Sequence, residues 1–230
     1  YLALLKQMQE RILHATEEEI NRSKIEILSG LMRLRQICDT PKLFMDDYDG
    51  ESGKLESLRE LLEQIQGGNH RVLIFSQFRG MLDIIEEELG RIGLESFKIT
   101  GSTPAKDRQE MTKAFNQGER SAFLISLKAG GVGLNLTGAD TVILVDLWWN
   151  PAVEAQAIGR AHRIGQERNV EVYRMITRGT IEEKIQELQE TKRNLVSTIL
   201  DGAESRSSLS LEEIREILGI SSESLEKKFE

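Results

Sequence analysis

The chain has 230 residues, 30 Lys and Arg against 38 Asp and Glu, a net charge of −8, and 39% hydrophobic residues. That balance supports a buried core and excludes a disordered or fibrous chain; the acidic total excludes a generalised nucleic-acid-coating protein, so any such contact must come from a local patch. The single cysteine, Cys38, excludes an intramolecular disulfide and every cysteine-cluster zinc site, and His14, His70 and His162 are too scattered to make a metal site.

Residues 1–37 read as helix, with apolar residues at three- and four-residue steps (Leu2, Leu5, Met8, Ile12, then Ile20, Ile27, Leu31, Leu34). Thr16 followed by three glutamates predicts the cap of a second helix. Asp39-Thr-Pro41 stops the pattern, and residues 45–53 form a polar, turn-rich linker, so the span 1–50 is a helical lead-in. Residues 54–66 are an amphipathic helix. Then strands and helices alternate: strand 71–78, helix 81–90, strand 95–100, helix 104–115, strand 121–127, strand 141–146, a helix from Pro151 to His162, strand 170–176, and a helix from Thr180 to Ile199. This order predicts an α/β fold with a parallel sheet and helices on both faces. Residues 203–210 read as a flexible link, 211–218 as a short helix, and the remainder as a charged, frayed tail. The apolar runs are too short to span a membrane, and no secretory signal opens the chain. A start at Tyr1, not Met, suggests a piece of something longer.

Charge is uneven along the chain. Residues 151–200 carry 8 basic and 7 acidic residues, and they are the one segment that is not acidic. In parallel sheets, ligands sit at the carboxyl ends of strands, so the segments after strands are the ones to inspect. The loop Ser126 to Asp140 holds four glycines, which lets a backbone approach a phosphate or ribose; an ordinary connection fits equally well. Gln156 to Gln166 carries Arg160 and Arg163, three apart and on one face if helical, which suits a phosphate or a solvated basic helix end. Asp146-Leu-Trp-Trp-Asn-Pro151 holds both tryptophans: either a stacking surface, or one ring buried and one packed outside. Gly50-Glu-Ser-Gly53-Lys54 is not a phosphate loop, because the spacing is wrong and no strand precedes it. No segment fits that motif, and no Asp-Glu pair of the magnesium-binding sort ends an apolar strand. Cys38 and His14 read as structural, and His70 as solvent-facing in a polar turn.

The order of these segments is more specific than any one of them. Arg71-Val-Leu-Ile-Phe-Ser-Gln-Phe78, Ile99-Thr-Gly-Ser-Thr103, Ser126 to Asp140, Asp146 to Pro151 and Gln156 to Gln166 together closely resemble the second motor lobe of Swi/Snf-type ATPases of helicase superfamily two. Arg160-Ala-His-Arg-Ile-Gly-Gln166 after Trp149-Asn-Pro151 carries most of the specificity. The resemblance covers about residues 24–199 and takes in a lead-in at Leu34–Leu43 and a signature lysine, Lys54.

The resemblance implies a RecA-like lobe at 51–180, preceded by the helical lead-in at 1–50 and followed by a brace helix at 181–200 and an acidic, flexible extension at 201–230. It implies a motor that uses ATP and Mg2+, both bound mainly by a first lobe that these residues do not include, so that the fragment alone is inactive. Arg160 and Arg163 would be the arginine fingers. Gly133, Asn135 and Gln156 match nucleotide-facing positions. Ser76, Gln77, Thr100, Gly101, Ser126, Lys128 and Trp149 match the DNA-tracking surface, and Gln166 a coupling position. The implied partners are double-stranded DNA and the first lobe of the same chain, with no membrane and a monomeric fragment. The implied location is the nucleus in a eukaryote and the cytoplasmic nucleoid in a prokaryote. The implied activity is translocation on duplex DNA without strand separation, remodelling protein–DNA complexes. A stand-alone regulatory or nucleic-acid-binding module with a decayed motor fold is the alternative; the intact arginines and glycine loop argue against it.

Overall fold

The computed structural model describes residues 1–127, 133–198 and 209–220. Its elements run α1 (Leu2–His14), α2 (Glu17–Arg22), α3 (Lys24–Asp39), α4 (Gly53–Gly67), β1 (Val72–Ser76), α5 (Arg79–Arg91), β2 (Ser96–Ile99), α6 (Ala105–Asn116), β3 (Ala122–Ser126), β4 (Thr141–Leu144), α7 (Pro151–Ile158), β5 (Glu171–Arg174), α8 (Ile181–Thr198) and α9 (Leu211–Ile217). They fall into two compact units. One takes Tyr1–Asp49, Trp149–Pro151 and the described residues from Thr177 onward; the other takes Gly50–Trp148 and Ala152–Ile176.

The helical unit is built from amphipathic stripes. Met8 and Ile12 of α1, Ile27, Leu31 and Leu34 of α3, and Ile181, Ile185 and Leu188 of α8 are buried. Thr16 and Glu19 form a reciprocal capping box that starts α2. The expected helical span breaks once more than its periodicity implies, at Ser23, whose hydroxyl turns back onto the Glu19 carbonyl and competes with the helical ladder. Far ends of the chain meet here. The Tyr1 hydroxyl accepts the Ile181 N–H at 2.7 Å, the Thr177 hydroxyl donates to the Cys38 carbonyl at 3.0 Å, and Gln9 Nε2 donates to the Leu218 carbonyl at 2.7 Å. Burial raises the Tyr1 phenol pKa well above its ordinary value, against the backbone hydrogen bond.

The second unit is a five-stranded, all-parallel sheet in the order β2-β3-β1-β4-β5. Successive side chains on a strand point to opposite faces. Leu73 and Phe75 of β1 join Phe115 of α6, Ala157 of α7 and Leu134 and Leu136 in one core cluster, while Val72 and Ile74 are equally buried on the other face. There α5 packs on β1 and β3, and Glu88 of α5 receives Arg59 of α4 at 2.5 Å. Continuous apolar runs in β1, β3 and β4 follow from this double cover. The edge strand β5 departs from the expectation: its residues are largely exposed.

Two further expectations are corrected. His14 is exposed, so it packs no core. The helix after Pro151 ends at Ile158, not His162. Its final turn tightens, with Arg160 N–H bonding Ala157 and Ala161 N–H bonding Ile158, and the Arg160 carbonyl is taken by the distant Leu136 N–H at 2.9 Å. Arg160 and Arg163 therefore lie in a turn and do not share a helical face. Ile199, most of the 203–210 link and the tail after 220 lie outside the described residues.

Candidate functional site

The carboxyl ends of β1, β3 and β4 carry the segments singled out above. β1 ends in Ser76 and continues into Gln77. Both are buried, and both are committed to Asp146, which follows β4 and is itself fully buried. The Ser76 hydroxyl donates to Asp146 Oδ2, and Gln77 donates to Oδ1 through Nε2 at 2.6 Å and through its backbone N–H at 3.2 Å. Lys54 is buried beside this latch and donates to the Val145 carbonyl at 3.0 Å. A buried carboxylate is tolerated where donors surround it, and that is the arrangement here. These side chains hold strand ends together, whatever the surface they form contacts.

After β2, Thr100 is buried and Gly101 exposed. Arg108 of α6 reaches back to the carbonyls of Thr103 at 2.8 Å, Thr100 at 3.3 Å and Gly101 at 3.2 Å, fixing the turn. Ser126 is buried at the end of β3, and Lys128 lies outside the described residues. The chain is described again from Gly133, whose φ of 32° lies in the glycine-favoured region. Gly133 and Asn135 are exposed along a cleft of about 560 Å3 that Arg108, Thr112, Lys113 and Asn116 also line. Trp148 and Trp149 are each half-buried. Within the helical unit, the guanidinium of the fully buried Arg35 sits 5.2 Å from the Trp149 ring, so one face of that indole is already occupied by a cation.

The arginine turn is held by hydrogen bonds to residues distant in the chain. Gln156 is exposed on α7. Arg160 is only 7% exposed, its Nε is buried without a hydrogen-bond partner among the described residues, and no carboxylate pairs with it there. Burial lowers its pKa, and the like charge of Arg163 lowers it further. Arg163 is exposed. The turn is fixed at its feet. Gln166 Nε2 donates to the carbonyls of Thr137 at 3.1 Å, Ala139 at 2.7 Å and Ala161 at 3.2 Å, and its Oε1 accepts the Arg168 N–H at 2.9 Å. Arg168 Nη1 then reaches Asp140 at 2.9 Å.

Asp140 was not singled out by sequence, and neither were Asp146, Arg71 and Arg168. Asp140 also takes His70 Nδ1 at 3.1 Å and the Arg71 N–H at 3.1 Å. Burial works to raise its pKa, but the hydrogen bonds from His70, Arg168 and the Arg71 backbone outweigh that and hold it below the usual carboxylate range. Arg71 stacks its guanidinium 3.9 Å from the Phe115 ring centroid and donates to the carbonyls of Gly138 at 2.9 Å and Arg120 at 2.8 Å. The available signal was a lone charge bounding each apolar strand.

The structure thus brings Arg160, Arg163 and Gln166 into one stapled turn beside the 133–136 segment, and locks Ser76 and Gln77 together at the ends of β1 and β4. Trp149 belongs to the helical unit. Among the described residues no cluster of His, Cys, Asp or Glu could hold a metal ion, and no helix is long and apolar enough to cross a membrane.

Known proteins carry the same pattern. The helicase conserved C-terminal domain family matches residues 53–165. The mouse SWI/SNF-related matrix-associated actin-dependent regulator of chromatin subfamily A member 1 is 41% identical over 220 residues, 87% of this chain and 21% of that protein. The chain spans less than a quarter of the length of the curated relatives it matches. The Sulfolobus solfataricus SWI2/SNF2 ATPase core solved in complex with dsDNA superposes with a TM-score of 0.74 at 34% identity, over 95% of this chain and 46% of that one. The C-terminal domain of that ATPase superposes with a TM-score of 0.71 at 32% identity, over 95% of this chain and 91% of that domain. Sequence, sheet and this nearly complete domain match agree: the chain belongs to the Swi/Snf family of helicase-like ATPases and is the C-terminal, RecA-like lobe of such a motor.

Proposed function

We propose that this lobe closes over ATP held by a first lobe and presents Arg160 and Arg163 to its phosphates. The observation that carries the reading is Arg160. An arginine at 7% exposure, with an unsatisfied buried Nε, no carboxylate partner among the described residues and a second cation as its charged neighbour, is an arrangement that an anion completes. ATP bound with Mg2+ supplies the γ-phosphoryl group, and charge grows on its oxygens during transfer to water. Two guanidiniums brought onto those oxygens stabilise that charge more than they stabilise the ground state. Arg160 is buried and held, so it serves as the fixed donor, while Arg163, exposed at the turn, completes the site on closure. The described residues lack a magnesium cluster and the sequence lacks a phosphate loop, so both requirements fall to the first lobe.

DNA is the proposed track. Gly101, Gly133 and Trp149 follow β2, β3 and β4 in the chain, within the segments that carry the motor signature, and the Sulfolobus core was solved in complex with dsDNA. Contacts to the track are proposed to be mostly to phosphates, hence sequence-insensitive and salt-sensitive. Nucleotide-driven opening and closing then shifts one lobe along the backbone and displaces bound proteins. In this reading the helix at 181–200 is the brace and the span 1–50 the helical lead-in.

Arg163→Ala in a chain carrying both lobes tests the reading. We expect turnover to fall by about 1,000-fold or more with ATP binding nearly unchanged, measured as phosphate release and nucleotide titration. Equal loss of binding and turnover contradicts the finger role.

A further inference from the structure

We infer that Ile164 is an apolar knob that docks into an apolar recess on the nucleotide-carrying lobe when the cleft closes. The inference rests on the reading of Arg160 and Arg163 above.

Ile164 is 101% exposed, the most exposed large apolar residue among those described; Ile25 follows at 80%. A lone exposed isoleucine on a loose loop means little. This one stands on a stapled turn. Leu136 N–H holds the Arg160 carbonyl, Gln166 holds three carbonyls, the Gln166 N–H closes onto the Arg163 carbonyl at 3.0 Å, and Arg168 ties the exit to Asp140. Gly165, at φ 102°, reverses the chain immediately after it. The side chain is therefore held out in solvent, where it buries nothing and adds nothing to this fold.

Its neighbour identifies the occupant. Consecutive Cα atoms lie about 3.8 Å apart. Any surface that brings a phosphate to Arg163 also comes within a side chain's length of Ile164. A polar residue would leave that contact wet. A β-branched isoleucine, stiff at χ1, loses little freedom on docking and releases water from its whole side chain. The partner is thus a protein surface with an apolar recess beside its bound phosphates.

The test uses a chain carrying both lobes. Ile164→Ala and Ile164→Asp are expected to lower ATP turnover about 10-fold or more, and Ile164→Val to retain most of it. The same variants in the 230-residue chain should melt within about 2 °C of the parent, since the side chain is unburied there. Ile164→Cys supplies a second readout. Within these 230 residues the one native thiol, Cys38, is buried, so the labelling gained by the Ile164→Cys chain over its two-lobe parent reports on position 164. Its labelling should slow when a non-hydrolysable ATP analogue is added. Unchanged turnover in Ile164→Ala and Ile164→Asp, or labelling indifferent to the analogue, overturns the inference. If Arg163→Ala abolishes turnover while the Ile164 variants do not lower it, only the knob falls. If neither matters, the arginine reading falls with it.

Discussion

Asp140 shows how much one side chain organises. It is a nearly buried carboxylate with donors from Arg168, His70 and the Arg71 backbone, and it joins the start of β4 to the foot of the arginine turn. Its pKa lies below the ordinary value, so the folded chain binds that proton less readily than the unfolded one. Its contribution to stability is therefore complete above the ordinary aspartate range, about pH 3.9, and is lost as pH falls through and below it. Asp140→Asn should cost about 1–3 kcal/mol at pH 7 and flatten part of the acid limb, read from urea midpoints between pH 3 and 7. An unaltered acid limb would mean that other carboxylates carry it. None of these partners was legible beforehand: Asp140 and Arg71 are separated by 69 positions, and a periodic pattern carries no record of side chains that meet across a sheet. Arg160 and Arg163 were legible because the motif around them is dense, yet their separate states, one buried and one exposed, were not.

Elements were easier to read than the way they end. Strands covered on both faces must be apolar throughout, so β1, β3 and β4 stood out as runs, and amphipathic stripes marked α1, α3 and α4. The end of α7 depended on Leu136 and Gln166 drawing carbonyls away from the helical ladder, which is a tertiary effect. Gly138 shows the same dependence. A Cβ there would stand 2.7 Å from Arg71 Nη1 and 3.1 Å from the Cα of Asn116. The Arg71 tip cannot swing aside without giving up its carbonyl partners, and the α6 backbone cannot yield cheaply. Gly138→Ala should therefore destabilise the chain by about 1–3 kcal/mol and lower the melting midpoint by several degrees, measurable by circular dichroism. A neutral substitution would show that the approach of α6 to this segment is soft.

At the scale of the molecule, the fold class was legible because alternating strands and helices have few parallel solutions, and the lobe's family because five motifs recur in order. The acidic total was less informative than its distribution: the charge proposed to meet an anion is that of buried Arg160 and its neighbour Arg163, in the one stretch that is not acidic. The 230 residues alone should release no phosphate from ATP, with or without duplex DNA, because no phosphate loop is present among them. Clear DNA-stimulated turnover by the purified chain would overturn the division of labour between two lobes.

The helical unit draws on both ends of the chain, with the sheet unit threaded between them. Tyr1 meets Ile181 and Gln9 meets Leu218 across most of the sequence. During synthesis, the first three helices emerge long before the helices that cover their apolar stripes. The sheet unit, complete by Ile176, can close first while α1 to α3 wait with Ile12, Leu31 and Leu34 uncovered. Within these 230 residues, the helices at 1–39 are made before the segment from Thr177 that completes their unit, so this part of the lobe is the one most exposed to aggregation and chaperone capture during synthesis.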